Sequence, residues 1–72
     1  MRELVESVPN FSTSSPETVK EILTAMTSVE GVILLDHSCD DYYNRLVLTV
    51  AGQGHVLVEG VLQGAVKAVE LI

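Results

Sequence analysis

Residues 32–50, VILLDHSCDDYYNRLVLTV, hold two apolar runs separated by a polar segment. The first run, residues 32–35, is unbroken and suits a strand covered on one face or both. The second, LVLTV at residues 46–50, is rich in the residue types that pack well on a pleated surface. The nine residues between them, DHSCDDYYN, read as a long connection, so the stretch predicts an antiparallel hairpin. Gly52 and Gly54 close its second strand.

Upstream, residues 4–8 alternate, with Leu4, Glu6 and Val8 on one side and Val5 and Ser7 on the other. Pro9 cannot donate to a ladder and is expected to mark the exit of that strand. STSSPETVKE then carries a helix start: Ser15 can cap, Pro16 fits the first helical position, and Glu17 favours the positive end of the dipole. Val19, Ile22, Leu23, Met26 and Val29 recur at helical spacing, and Gly31 is the expected stop. Downstream, Val58, Val61, Leu62, Ala65, Val66, Val69 and Ile72 repeat at the same period, predicting a second helix with that stripe against the core. Gly60 and Gly64 lie four apart on it. Each costs about 1 kcal/mol relative to Ala, which a close approach of the helix to the sheet would explain.

The order is β-α-β-β-α. It predicts an α+β domain of the ferredoxin-like split βαβ pattern, with a three-stranded sheet and the final strand missing. In the complete pattern the last strand lies beside the first. Without it residues 4–8 form a bare sheet edge.

At 72 residues the chain makes one domain, an incomplete one spanning residues 1–72, of modest expected stability. Apolar residues make up 47% and the mean hydropathy is +0.36, which excludes a disordered tail and leaves apolar surface to face a partner. Ten acidic residues against four basic ones give a net charge of −6. The basic residues Arg2, Lys20, Arg45 and Lys67 are scattered singly, so neither nucleic acid nor an anionic membrane is an expected partner. The lone Cys39 cannot form an internal disulfide, and the first residues lack the apolar core of a signal peptide. The expectation is a reducing, cytoplasmic setting.

Three segments, LVESVPNFS at residues 4–12, GVILLDHSCDDYYNRLVLTVAGQ at residues 31–53 and VLVEGVLQGAVKAVELI at residues 56–72, occur in one order and at one spacing. Together they resemble the N-terminal subdomain of the glutamate formimidoyltransferase (formiminotransferase) family. That family reads V-E-C-V-P-N-F-S-E-G, then L-L-D, a short polar loop and N-R-x-V, then V-G and a helix. The likeness covers essentially the whole chain. It implies a transferase that moves a formimino group between N-formimino-glutamate and tetrahydrofolate, as in histidine breakdown, with both substrates between two similar subdomains. Tetrahydrofolate is thus implied as a substrate, and no metal. The family's catalytic histidine belongs to an H-x-G-x-H-P-R-x-G segment shortly after the second helix, and these 72 residues do not reach it. The resemblance therefore implies no catalytic residue here, and a chain inactive by itself that contributes one wall of a folate and glutamate cleft. A homodimer, or a companion chain carrying the remaining transferase, would supply the rest. Two departures stand out: the family's SEG after NF is STSS, and the position before Asn44, often histidine in bacterial members, is Tyr43.

The residues that the resemblance places on substrate are Asn10, Ser12, Ser38, Asp40, Asn44 and Arg45. Each also has a plainer reading. Asn10 and Ser12 can present side chains from a strand end or merely shape the turn. Arg45 can fork onto a substrate carboxylate or pair with a nearby Asp. Tyr42 and Tyr43 can stack on a pterin-like ring or cover apolar surface at the hairpin mouth. Asp36, His37, Cys39, Asp40 and Asp41 have the composition of a metal site without its spacing, so a solvated acidic loop is expected. Neither His37, His55 nor Cys39 has an identifiable partner for acid–base or nucleophilic work. The alternative to the transferase reading is a small non-enzymatic interaction module that pairs through its first strand.

Overall fold

The computed structural model describes residues 3–72. Met1 and Arg2, and with Arg2 one of the four scattered basic residues, lie outside them. Along the chain come β1 (Leu4–Ser7), β2 (Asn10–Phe11), α1 (Pro16–Thr27), β3 (Ile33–Asp40), β4 (Arg45–Gln53) and α2 (Gly54–Leu71). The fold is α+β, with every strand antiparallel to β4.

β4 is the centre of the sheet. β3 occupies one of its edges from Arg45 to Ala51. β1 pairs with residues 50–53 and β2 with residues 46–47, so both must share the opposite edge. They are one broken strand, and the sheet keeps the three-stranded layout of the split βαβ pattern. Pro9 interrupts rather than ends the strand: its carbonyl accepts a hydrogen bond from Leu48 N–H at 3.1 Å, and the chain rejoins the ladder at Asn10. A proline lacks only the donor, so its acceptor still serves the sheet.

The hairpin differs most from expectation. β3 does not stop at Leu35 but runs through Asp40, and the connection shrinks from nine residues to the four of residues 41–44. The polar composition misleads because the far half of β3 is an exposed edge. It makes ladder bonds without burying side chains, and strand formation there is driven by pairing with β4. Between Leu34 and Asp36 the register shifts, leaving Leu35 as an extra residue.

α1 begins as predicted, with Pro16 at its first turn and Ser15 O accepting from Val19 N–H at 2.9 Å. The Ser15 side chain makes no cap bond. Thr13, the one buried polar residue among those described, reaches forward instead, its Oγ1 accepting from Ser15 N–H at 3.2 Å. The helix ends at Thr27, and Gly31, with φ 98°, sits in the turn beyond it.

α2 lies against β4 and β1, and α1 packs against α2. Ile22, Met26, Leu46, Leu48 and Val50 form the fully enclosed centre, with Val19, Leu57 and Ala68 around them. The predicted stripe of α2 is therefore displaced. Its buried face is Leu57, Gly60, Gly64 and Ala68, with Val61 half-buried, while Val58, Leu62, Val66 and Val69 face outward. The small residues lie inside because α1 and Val32, the residue leading into β3, come close to them. A Cβ on Gly60 would stand 2.6 Å from Val32 Cγ2, and one on Gly64 would overlap the Met26 side chain.

Candidate functional site: the uncovered sheet face

Both helices cover the face of the sheet that carries Leu46, Leu48 and Val50. Residues paired directly across a ladder share a face, so the register assigns every other side chain. Leu4 and Glu6 of β1, Asn10 of β2, Val47, Thr49 and Ala51 of β4, and Ile33, Asp36, Ser38 and Asp40 of β3 lie on the side without helices. Asn10, Val47 and Ser38 form one row across the sheet. Asp36 stands opposite Thr49 in another, and Asp40 opposite Arg45 at the rim.

The two motif segments meet at this end of the sheet. Asn44 holds φ 51°, a left-handed conformation in the hairpin turn that Asn tolerates better than most residues. Its Oδ1 accepts from Ser14 Oγ–H at 2.9 Å, and its Nδ2 donates to Ser12 O at 3.4 Å. The turn at residues 41–44 is thereby tied to the loop that enters α1, some thirty positions earlier. Asp40 Oδ1 accepts from the backbone N–H groups of Tyr42 and Tyr43 at 2.9 and 3.2 Å, so this carboxylate shapes the turn with one oxygen and keeps the other free. Tyr42 and Tyr43 pack edge to face with ring centres 4.9 Å apart and are otherwise exposed.

Of the sequence candidates, Asn10, Ser38, Asp40 and Arg45 come together on the face or its rim. Asn44 and Ser12 stand beside them as parts of the turn-to-loop tie. The Asn10 side chain also bonds locally, donating to Val8 O at 3.1 Å. Arg45 makes no ion pair among the described residues. The single bridge found there joins Lys67 and Glu70 of α2 at 3.0 Å, where hydrogen bonding and the negative charge of Glu70 hold the Lys67 ammonium above its ordinary pKa. The alternation of β3 also divides its potential metal ligands: Asp36 and Asp40 face one way, His37 and Cys39 the other. Among the described residues no three such groups converge. Asp36 and Thr49 are not among the substrate candidates of the sequence, because the apolar run there predicts that β3 ends at Leu35. A strand parity carried through DHSCD would have grouped Asp36 with Ser38 and Asp40, and the register shift at Leu35 is what turns that group to the open face.

A split βαβ layer with helices on one side only, and polar groups from distant segments gathered on the other, defines an α+β subdomain with an open sheet face. The model of the formiminotransferase domain, N-terminal subdomain, matches residues 4–72, and the chain belongs to that family. The formimidoyltransferase-cyclodeaminase of Rattus norvegicus is 41% identical over 73 aligned positions, covering all of this chain, and that of Gallus gallus is 42% identical over the same span. The glutamate formimidoyltransferase of Streptococcus pyogenes serotype M1 is 39% identical over 64 positions, or 88% of this chain. The chain spans 14% of the length of the two cyclodeaminase relatives and 21% of the streptococcal one.

Proposed function

We propose that this chain supplies one wall of the folate and glutamate cleft of a formimidoyltransferase, and that the wall is its helix-free sheet face. The observation that carries this reading is the gathering of Asn10, Ser38, Asp40 and Arg45 on that face, with Asn44 and Ser12 bracing its rim. In this reading the unpaired Arg45 guanidinium forks onto a substrate carboxylate, since a planar pair of donors matches two carboxylate oxygens. Asn10 and Ser38 offer neutral donors and acceptors along the row between. The wall works in the cytoplasm opposite a second wall carried by further polypeptide, in the same chain or a companion, which also brings the general acid–base group. The 72 residues by themselves bind N-formimino-glutamate and tetrahydrofolate weakly and do not transfer the group.

Titration of the isotope-labelled chain with each substrate, followed by amide chemical shifts, tests this. The expected perturbations fall on β2, the far half of β3 and residues 44–49. Arg45→Ala is expected to weaken binding of the glutamate substrate about tenfold or more, as loss of a charge-assisted fork does. Shifts confined to the helical side, or turnover by the chain alone, overturn the proposal.

A further inference from the structure

The register puts three carboxylates on the open face, Glu6, Asp36 and Asp40, and they stand at different distances from Arg45. Asp40 is its direct cross-strand neighbour, about 5 Å away, and one oxygen of Asp40 is already held by the amides of Tyr42 and Tyr43. Asp36 pairs with Thr49, four residues along β4 from Arg45, which is about 14 Å in an antiparallel strand. Glu6 pairs with Ala51, six residues along, or about 20 Å. Asp36 is exposed and makes no ion pair among the described residues. Thr49 opposite it carries no charge, and the break at Val8 and Pro9 on the other edge of β4 brings none either. Asp36 and Arg45 are thus two free charges of opposite sign, held apart by the sheet.

We propose that Asp36 determines specificity for the formimino group: its carboxylate takes the cationic end of N-formimino-glutamate while Arg45 takes the side-chain carboxylate. The inference rests on the reading of this face as the substrate wall and adds the charge its ligand must carry. A formimino group is an amidine, protonated at neutral pH, and its planar pair of N–H donors meets a carboxylate as a guanidinium does. Five bonds separate the amidinium carbon from the side-chain carboxylate carbon, about 6 Å in an extended chain. Each charge-assisted fork adds about 4 Å between the paired carbons, so the two protein charges must stand about 14 Å apart. Asp36 meets that spacing from Arg45, whereas Asp40 is too near and Glu6 too far. The row of Asn10, Val47 and Ser38 crosses midway, where the Ser38 hydroxyl and the Asn10 amide can donate to the ligand's second carboxylate. A formyl group in the same place is neutral and turns a carbonyl oxygen toward Asp36, an acceptor facing an acceptor.

Parallel titrations of the isotope-labelled 72-residue chain with N-formimino-glutamate and N-formyl-glutamate, followed by amide chemical shifts, test it. The formimino compound is expected to bind about tenfold or more tightly than the formyl one. Asp36→Asn, an exposed and nearly isosteric change, should preserve the circular dichroism and reduce that preference to about twofold or less. Arg45→Ala should weaken both ligands alike and keep the preference, and Glu6→Gln should alter neither. Equal affinity for the two ligands on the open face, or a preference that survives Asp36→Asn, overturns the role of Asp36 and leaves the substrate wall standing. Shifts from neither ligand on the open face overturn the substrate wall and this inference with it.

Discussion

Gly60 and Gly64 show how one missing methyl group positions a helix. Alanine at either site would gain about 1 kcal/mol of helix propensity. That gain is outweighed where the added carbon meets Val32 Cγ2 at 2.6 Å and Met26 O at 3.4 Å, as at Gly60. Val32 is stiff and Met26 is fully buried, so neither yields easily. Gly60→Ala is expected to lower the unfolding free energy by roughly 1–3 kcal/mol in urea titrations, in the range of other overpacked cores. Gly54 opens α2 with nothing within 4 Å of its added carbon, and Gly54→Ala should be neutral or stabilising by up to about 1 kcal/mol. Asn44 illustrates the other residue-scale constraint. Asn44→Ala loses both loop hydrogen bonds and carries a side chain into a left-handed conformation, an expected cost of about 1–3 kcal/mol. Asn44→Gly restores the backbone freedom and should lie between the two.

Among the elements, β4 and β3 have opposite roles despite being partners in one hairpin. Every second residue of β4 is fully enclosed, because strands flank it on both edges and helices lie over it. β3 pairs on one edge and is exposed along most of its length. Leu48→Ala is therefore expected to cost about 2–5 kcal/mol, and Leu35→Ala, at the extra residue of the edge strand, within about 0.5 kcal/mol of zero. Equal losses for the two, measured by chemical denaturation, would contradict this division. The helices divide in the same way. α1 buries its predicted stripe, whereas α2 turns glycine and alanine inward and leaves valines and a leucine to water.

For the molecule as a whole, the consequence is a sheet that among the described residues has one face covered by helices, one face without them and two edges without a paired strand. The open face gathers the polar groups offered here as a substrate wall. The other side of β1 and the outward residues of α2 carry an apolar strip. These surfaces meet near β1 but lie on different sides of it. Arg45→Ala, at an exposed position, should leave the circular dichroism unchanged while weakening glutamate-substrate binding.

The order of elements, the start of α1, the antiparallel hairpin and the bare first strand were legible in the sequence. They depend on local rules: proline geometry, helical period and glycine breaks act within a few residues. Asn10, Ser38, Asp40 and Arg45 were legible as candidates through motif spacing, but their common face was not. That face follows from the register of three strands on β4, and the shift at Leu35 resets the parity of β3. Likewise a helical period says which side chains of α2 share a side, but not which side turns inward. Only the tertiary structure decided that, because the side chains of Met26 and Val32 come close enough that glycine alone fits at positions 60 and 64.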